Sequence, residues 1–280
     1  GGGLRGKIIE FSHASRLRMM KRLSDYYDHM THLQHLTFAD ELFEGMTFQE
    51  RVEHSSYQIK LLSQWYKRQG FGPSIIWRRE YEPRKSGGMR GELIPHFHII
   101  YVSDKPLTEI QVRVHCLRVA VGWWHINRGP RKMLNVNVHP SSWQKLNDPV
   151  HAARYVSKYI AKETGRVFPE GASLGRFWGK VGDLPAVEVY QYQLTNLQSA
   201  KVRRYLRRLA KSKGYRCFLR YRGGQKDQIG SGFLFVRRET VQRIVDLVAS
   251  ETGGMNAVKY RTVDQLLEEG KGVIYNSSAI

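Results

Sequence analysis

Two β-prone runs, PSIIWRREYE (residues 73–82) and LIPHFHIIYVS (93–103), flank PRKSGGMRGE, whose proline and paired glycines mark a hairpin loop. An antiparallel hairpin is therefore the nucleus around which the rest of the chain has to be arranged. Successive strand residues point to opposite faces, so His96 and His98 project to one side while Phe97, Ile99 and Tyr101 project to the other. A loop centred on Gly87 and Gly88 sets Glu80 across from His96, on the face of both imidazoles.

Two histidines and a carboxylate on one face form a ligand set with open positions. That set suits Mn²⁺ or Mg²⁺ rather than a closed structural zinc. Glu82 has the parity of Glu80 and is the fallback ligand. Glu92 lies about four strand residues from His96, too far at ~3.3 Å per residue. The alternative reading is a hydrogen-bonded histidine pair on a half-exposed strand.

The flanking elements follow from local signals. Residues 14–34 read as a basic amphipathic helix running into a strand, LQHLTFA. Thr47, with Glu50 three residues on, caps a helix that Gly70 stops, and Thr108 caps a second one over PLTEIQVRVHCLRVAVGWWHIN. In LNVNVHP (134–140), Asn135, Asn137 and His139 alternate with Val136 and Val138, which predicts a strand. Asp148 and Pro149 open a further helix, PVHAARYVSKYIAKE. The order β, α, β, β, α, β, α implies an α+β fold with a mostly antiparallel central sheet and packed helices.

On the last of these helices Tyr155, Lys158, Tyr159 and Lys162 share one face, while Ala153, Val156, Ile160 and Ala161 take the other. A tyrosine hydroxyl, with a pKa near ~10, is a poor nucleophile unless cations stabilise its developing charge. Tyrosines between lysines, opposite a metal site, point to phosphoryl transfer onto tyrosine.

The charge balance points the same way. Lys and Arg number 45 against 25 Asp and Glu, a formal net charge of +20 with a pI near 10.0, which calls for a polyanionic partner. Residues 195–226 carry eleven Lys or Arg and no acid, with Tyr205, Tyr215 and Tyr221 interleaved. Arg203, Arg204, Arg207, Arg208 and Lys211 are the candidate DNA contacts there, through phosphate pairing and base stacking; a solvated charged helix is the other reading. Three regions are expected: a basic helical segment over 1–30, a catalytic domain over 31–192, and a basic, mainly helical region over 193–280. No apolar run has the length of a membrane span, and GGGLRGKIIEF lacks a signal-peptide core. Cys116 and Cys217 stand alone, as suits a reducing compartment.

The ordered set HLTF (35–38), PHFHIIY (95–101) and YVSKYIAK (155–162) resembles the HUH endonucleases of the rolling-circle replication initiator type, over roughly residues 8–192. RREYE before the histidines is similar to that family's carboxylate strand, and GRFWG (175–179) to a segment after its tyrosine helix. Two tyrosines flanking a lysine resemble the two-tyrosine initiators of small single-stranded DNA phages. The resemblance implies an RRM/ferredoxin-like HUH fold, with a divalent ion on His96, His98 and Glu80. It further implies nicking and rejoining of single-stranded origin DNA, an origin hairpin included, through a 5′-phosphotyrosine on Tyr155 or Tyr159, with Lys158 or Lys162 stabilising phosphate charge. A host helicase and polymerase are the implied partners, in the cytoplasm of a bacterial host, for a phage- or plasmid-encoded protein. No G-x-x-x-x-G-K-[ST] is present, so the chain carries no helicase motor of that type. A two-tyrosine transposase or relaxase shares this chemistry, and a non-catalytic RRM-like nucleic-acid binder is the rival of another class.

Overall fold

The computed structural model describes residues 7–146, 167–185, 189–212, 238–254 and 256–260. The chain divides into two compact units, residues 1–185 and 186–280.

In the first unit, helix α1 (His13–Asp25) starts where the Ser12 hydroxyl accepts from Ser15 N, and one 3-10 turn separates it from β1 (Met30–Leu36). The helix is shorter than its basic pattern suggests, and the strand takes over at Met30. Helix α2 (Phe48–Arg68) begins with a complete Thr47/Glu50 capping box. Gly70 follows it at φ +63°, a left-handed conformation suited to glycine. Strands β2 (Ser74–Pro83) and β3 (Leu93–Val102) form the hairpin. Helix α3 (Glu109–Asn127) is opened by Thr108 and Gln111 in a second capping box.

Residues 134–138, the greater part of the predicted strand LNVNVHP, instead belong to helix α4 (Arg131–Val138). The alternation of valines and asparagines is misleading because one asparagine is inward. Met133 and Asn137, four apart, are buried, whereas Val136 is 54% exposed. Asn137 Nδ2 donates to Met133 O at 2.8 Å and to Thr37 O at 3.1 Å, while its Oδ1 accepts from Thr37 N at 2.9 Å. A polar side chain thus docks the helix on the end of β1. The strand in this part of the chain is β4 (Trp143–Lys145), and β5 (Trp178–Val181) completes the sheet.

The five strands lie in the order β4-β1-β3-β2-β5, and every neighbouring pair is antiparallel. One face carries Leu36, Ile75, Trp77, Phe97, Ile99 and Tyr101 into a core with Ile59, Leu62 and Tyr66 of α2 and Val119 and Trp123 of α3. Helix α3 comes so close to α2 that a Cβ on Gly122 would overlap the Trp65 ring. Arg79 reaches through this layer to Ser55 Oγ and Ser56 Oγ at 3.0 and 2.7 Å. On the opposite face Trp178, paired with Arg78, donates from Nε1 to Ser15 Oγ, and beside β5 Phe11 stacks on Phe177 with centroids 5.0 Å apart.

In the second unit β6 (Val189–Gln193) pairs antiparallel with β7 (Asn256–Tyr260), and α5 (Asn196–Ser212) packs with α6 (Arg238–Thr252). The unit begins somewhat before the shift in composition, because β6 finds its partner strand inside it.

Candidate functional site

The β2–β3 register sets Glu80 opposite His96 and Arg78 opposite His98. Directly paired residues share a face, so these four side chains lie together on the face away from α2 and α3. His98 Nε2 lies 2.7 Å from Glu80 Oε2, His96 Nε2 lies 3.1 Å from His98 Nε2, and His96 Nε2 lies 3.5 Å from Glu80 Oε2. Two donors each ~2.05 Å from one ion, at 90–109°, sit about 2.9–3.4 Å apart. The three separations bracket that span. Glu82, the fallback, is farther out, its Oε2 3.9 Å from His96 Nε2.

Glu80 is fully buried and its Oε1 has no hydrogen-bond partner. A buried carboxylate oxygen left unsatisfied is destabilising, and a bound cation removes that deficit. Burial by itself raises the Glu80 carboxyl. Hydrogen bonds from His96 and His98, aided by the charge of Arg78, outweigh it and hold the group below the usual carboxylate range. Burial also pushes His98 well below the usual imidazole range, against the hydrogen bond it gives to Glu80, which raises it. A charged carboxylate beside a neutral imidazole is the state in which both bind a metal. Together Glu80, His96 and His98 can hold a metal ion.

Two further residues border the ligands. His35 of β1 pairs with His98, and the two rings meet edge-on with centroids 4.4 Å apart. Arg78 has its guanidinium 5.6 Å from the centre of the Phe11 ring. Strand parity alone is enough to put Arg78 on the face of Glu80, whereas nothing local marks His35, which reaches the site through the β1–β3 pairing.

A second buried cluster, His32, His115 and Cys116, also has its ligand atoms close enough together for a metal. Its hydrogen bonds explain it without one. Tyr66 OH donates to Pro73 O at 2.7 Å, so it accepts from His115 Nε2 at 2.9 Å. His115 Nδ1 then accepts from His32 Nε2 at 2.9 Å, and the Thr31 hydroxyl lies 2.8 Å from His32 Nδ1, nearer than Tyr101 O at 3.3 Å, another acceptor in its reach. Each ring gives one proton and takes one, as a neutral imidazole does. Burial holds His32 well below its ordinary pKa and His115 down to about 4, and pushes the Cys116 thiol up to about 12.

Tyr155, Lys158, Tyr159 and Lys162 lie outside the described residues, as does the side chain of Lys211. In the second unit Arg203, Arg204, Arg207 and Arg208 line a cavity of about 440 Å³ on α5, with Ala200 as its small floor. Arg203 Nη2 donates to Ser199 Oγ at 2.9 Å. Glu251 of α6 is taken up by Lys201 Nζ at 2.5 Å and by Tyr205 OH at 2.6 Å, on another side of the helix. Among the described residues no helix is long and apolar enough to cross a membrane. No protein-family model, curated protein or solved structure matches the chain.

Proposed function

We propose that this chain nicks and rejoins single-stranded DNA as an initiator of rolling-circle replication. The observation that carries this reading is the convergence of Glu80 Oε2, His96 Nε2 and His98 Nε2 on one point of the sheet, with Glu80 Oε1 unsatisfied. Glu80, His96 and His98 would hold Mn²⁺ or Mg²⁺, of which the two imidazoles favour Mn²⁺, and the ion would supply Lewis-acid polarisation of a phosphate oxygen.

The remaining chemistry belongs to the chain. Tyr155 or Tyr159 attacks the phosphorus through its phenolic oxygen. The bond to the 3′ oxygen breaks, that oxygen takes a proton, and the phosphate stays on the tyrosine as a 5′ ester. Lys158 and Lys162 balance the negative charge on the phosphate and on the attacking phenolate. The second tyrosine reverses the exchange on a new junction, and the phosphodiester energy is kept in the tyrosyl link. The arginines of α5 hold the DNA backbone. The free 3′ end primes a host polymerase, with strand separation left to a host helicase, in the cytoplasm of a bacterium carrying the phage or plasmid.

The test is covalent capture. The purified chain, a pool of random single-stranded oligonucleotides and Mn²⁺ should give a protein–DNA adduct that survives denaturing electrophoresis and disappears in excess EDTA. No adduct, or full adduct in EDTA, overturns the reading.

A further inference from the structure

The face that carries the metal-ligand cluster continues onto β1 and β4. Leu33 pairs with Ile100 and His35 with His98, and Gln144 of β4 pairs with Leu33, so Leu33, His35 and Gln144 share that face. Leu33 is buried, His35 half-buried and Gln144 exposed. With Ser141 and Trp143 they line a cavity of about 320 Å³, within the ~300–1,000 Å³ of small-ligand sites. Its inner wall, His35, touches the His98 ring edge-on at 4.4 Å.

We propose that this cavity takes one nucleobase of the bound strand, from the nucleotide next to the phosphate held at Glu80, His96 and His98. The inference rests on the single-stranded DNA reading above. A base is a flat aromatic plate with a polar edge, and the lining matches each part. Leu33 gives an apolar floor. The His35 imidazole gives a ring to stack on, as histidines do for unpaired bases. The Gln144 amide, both donor and acceptor, reads an edge. Adjacent strands lie ~4.8 Å apart, so the two steps from β3 to β4 carry a ligand about 10 Å from His98, the reach from a phosphate to the edge of its own base. None of the five described lining residues is acidic, so none of these repels the attached phosphate.

The full chain is tested in two ways. Binding in EDTA is measured for oligonucleotides with a single abasic site scanned through the cut region, and cleavage with Mn²⁺ is measured on a pool randomised beside the cut. An abasic site at one position next to the cut should weaken wild-type binding about tenfold, and Gln144→Ala, which removes the edge contacts but keeps the His35 stack, should reduce that penalty without abolishing it. Gln144→Glu, an acceptor only, should shift the preferred base at that position toward cytosine, whose N4 amino group donates. Gln144 is exposed on a short edge strand, and thermal melting confirms that both variants fold. A wild type that cuts, with both variants keeping its base preference and its full abasic penalty, overturns the subsite alone. So does a wild type that cuts with no preference or penalty beside the cut. A wild type that neither binds nor cuts single strands overturns the nicking reading and this inference with it.

Discussion

Glu80 stands directly across the hairpin from His96, and its Oε2 lies 2.7 Å from Nε2 of His98, the next residue on the same face. One strand pairing therefore brings an acid and two bases to a point. Glu80→Gln keeps the shape and removes the charge. Mn²⁺ affinity, read by calorimetry, should fall by more than the ~10–100-fold typical of losing an outer-shell partner. His96→Ala and His98→Ala should abolish the covalent adduct while oligonucleotide binding stays near wild type, because phosphate pairing by Lys and Arg carries most affinity. Unchanged Mn²⁺ affinity in all three variants would remove the metal site.

The buried neutral histidines make stability depend on acid. His115 titrates near 4 in the folded chain and near ~6.5 unfolded. Between those values the unfolded state binds the proton and the native state does not, so stability falls as pH drops from about 6.5 toward 4. The slope approaches ~1.4 kcal/mol per pH unit for each such histidine. Urea titrations in EDTA at pH 7.5 and 5.5 should show this fall, and His115→Gln should be less stable at pH 7.5 but decline less on acidification. An identical pH slope in His115→Gln would mean that this imidazole is already charged in the fold.

Asn137 and Val136 separate the helix from the strand pattern. Asn137→Ala leaves Thr37 N without its acceptor, while Thr37 O keeps Trp123 Nε1 at 3.0 Å, and should cost about 1–3 kcal/mol. Val136→Ala, at an exposed position, should stay within ~0.5 kcal/mol. Chemical denaturation of both variants checks it, and the reverse order would restore the strand.

Neutralising Arg203, Arg204, Arg207 and Arg208 should weaken single-strand binding and flatten its salt dependence, by about 0.7 in log–log slope for each phosphate that no longer has a cation beside it. Fluorescence anisotropy over a range of salt concentrations gives the slope. An unchanged slope would make α5 a solvated helix.

The two tyrosines are tested by their hydroxyls. Tyr155→Phe and Tyr159→Phe should each still form some covalent adduct while strand joining falls sharply, and the double variant should form none. Adduct in the double variant places the nucleophile elsewhere. Complete loss in one single variant, with the other normal, makes this a one-tyrosine enzyme.

What the residues determined unaided was local. The capping boxes at Thr47/Glu50 and Thr108/Gln111 are satisfied within one turn, and the Glu80–His96 register follows from the symmetry of a loop around Gly87 and Gly88. Interactions closed over a few residues leave their whole cause in the sequence. The tertiary structure decided the rest, because it depends on partners far along the chain. Asn137 is an inward helical residue only because Thr37 offers it a donor and an acceptor. His35 borders the metal ligands, and Gln144 the cavity beside them, only because β1 lies between β3 and β4. His32 and His115 become links in one hydrogen-bonded chain only because Tyr66, anchored on Pro73 O, comes within 2.9 Å of His115 Nε2.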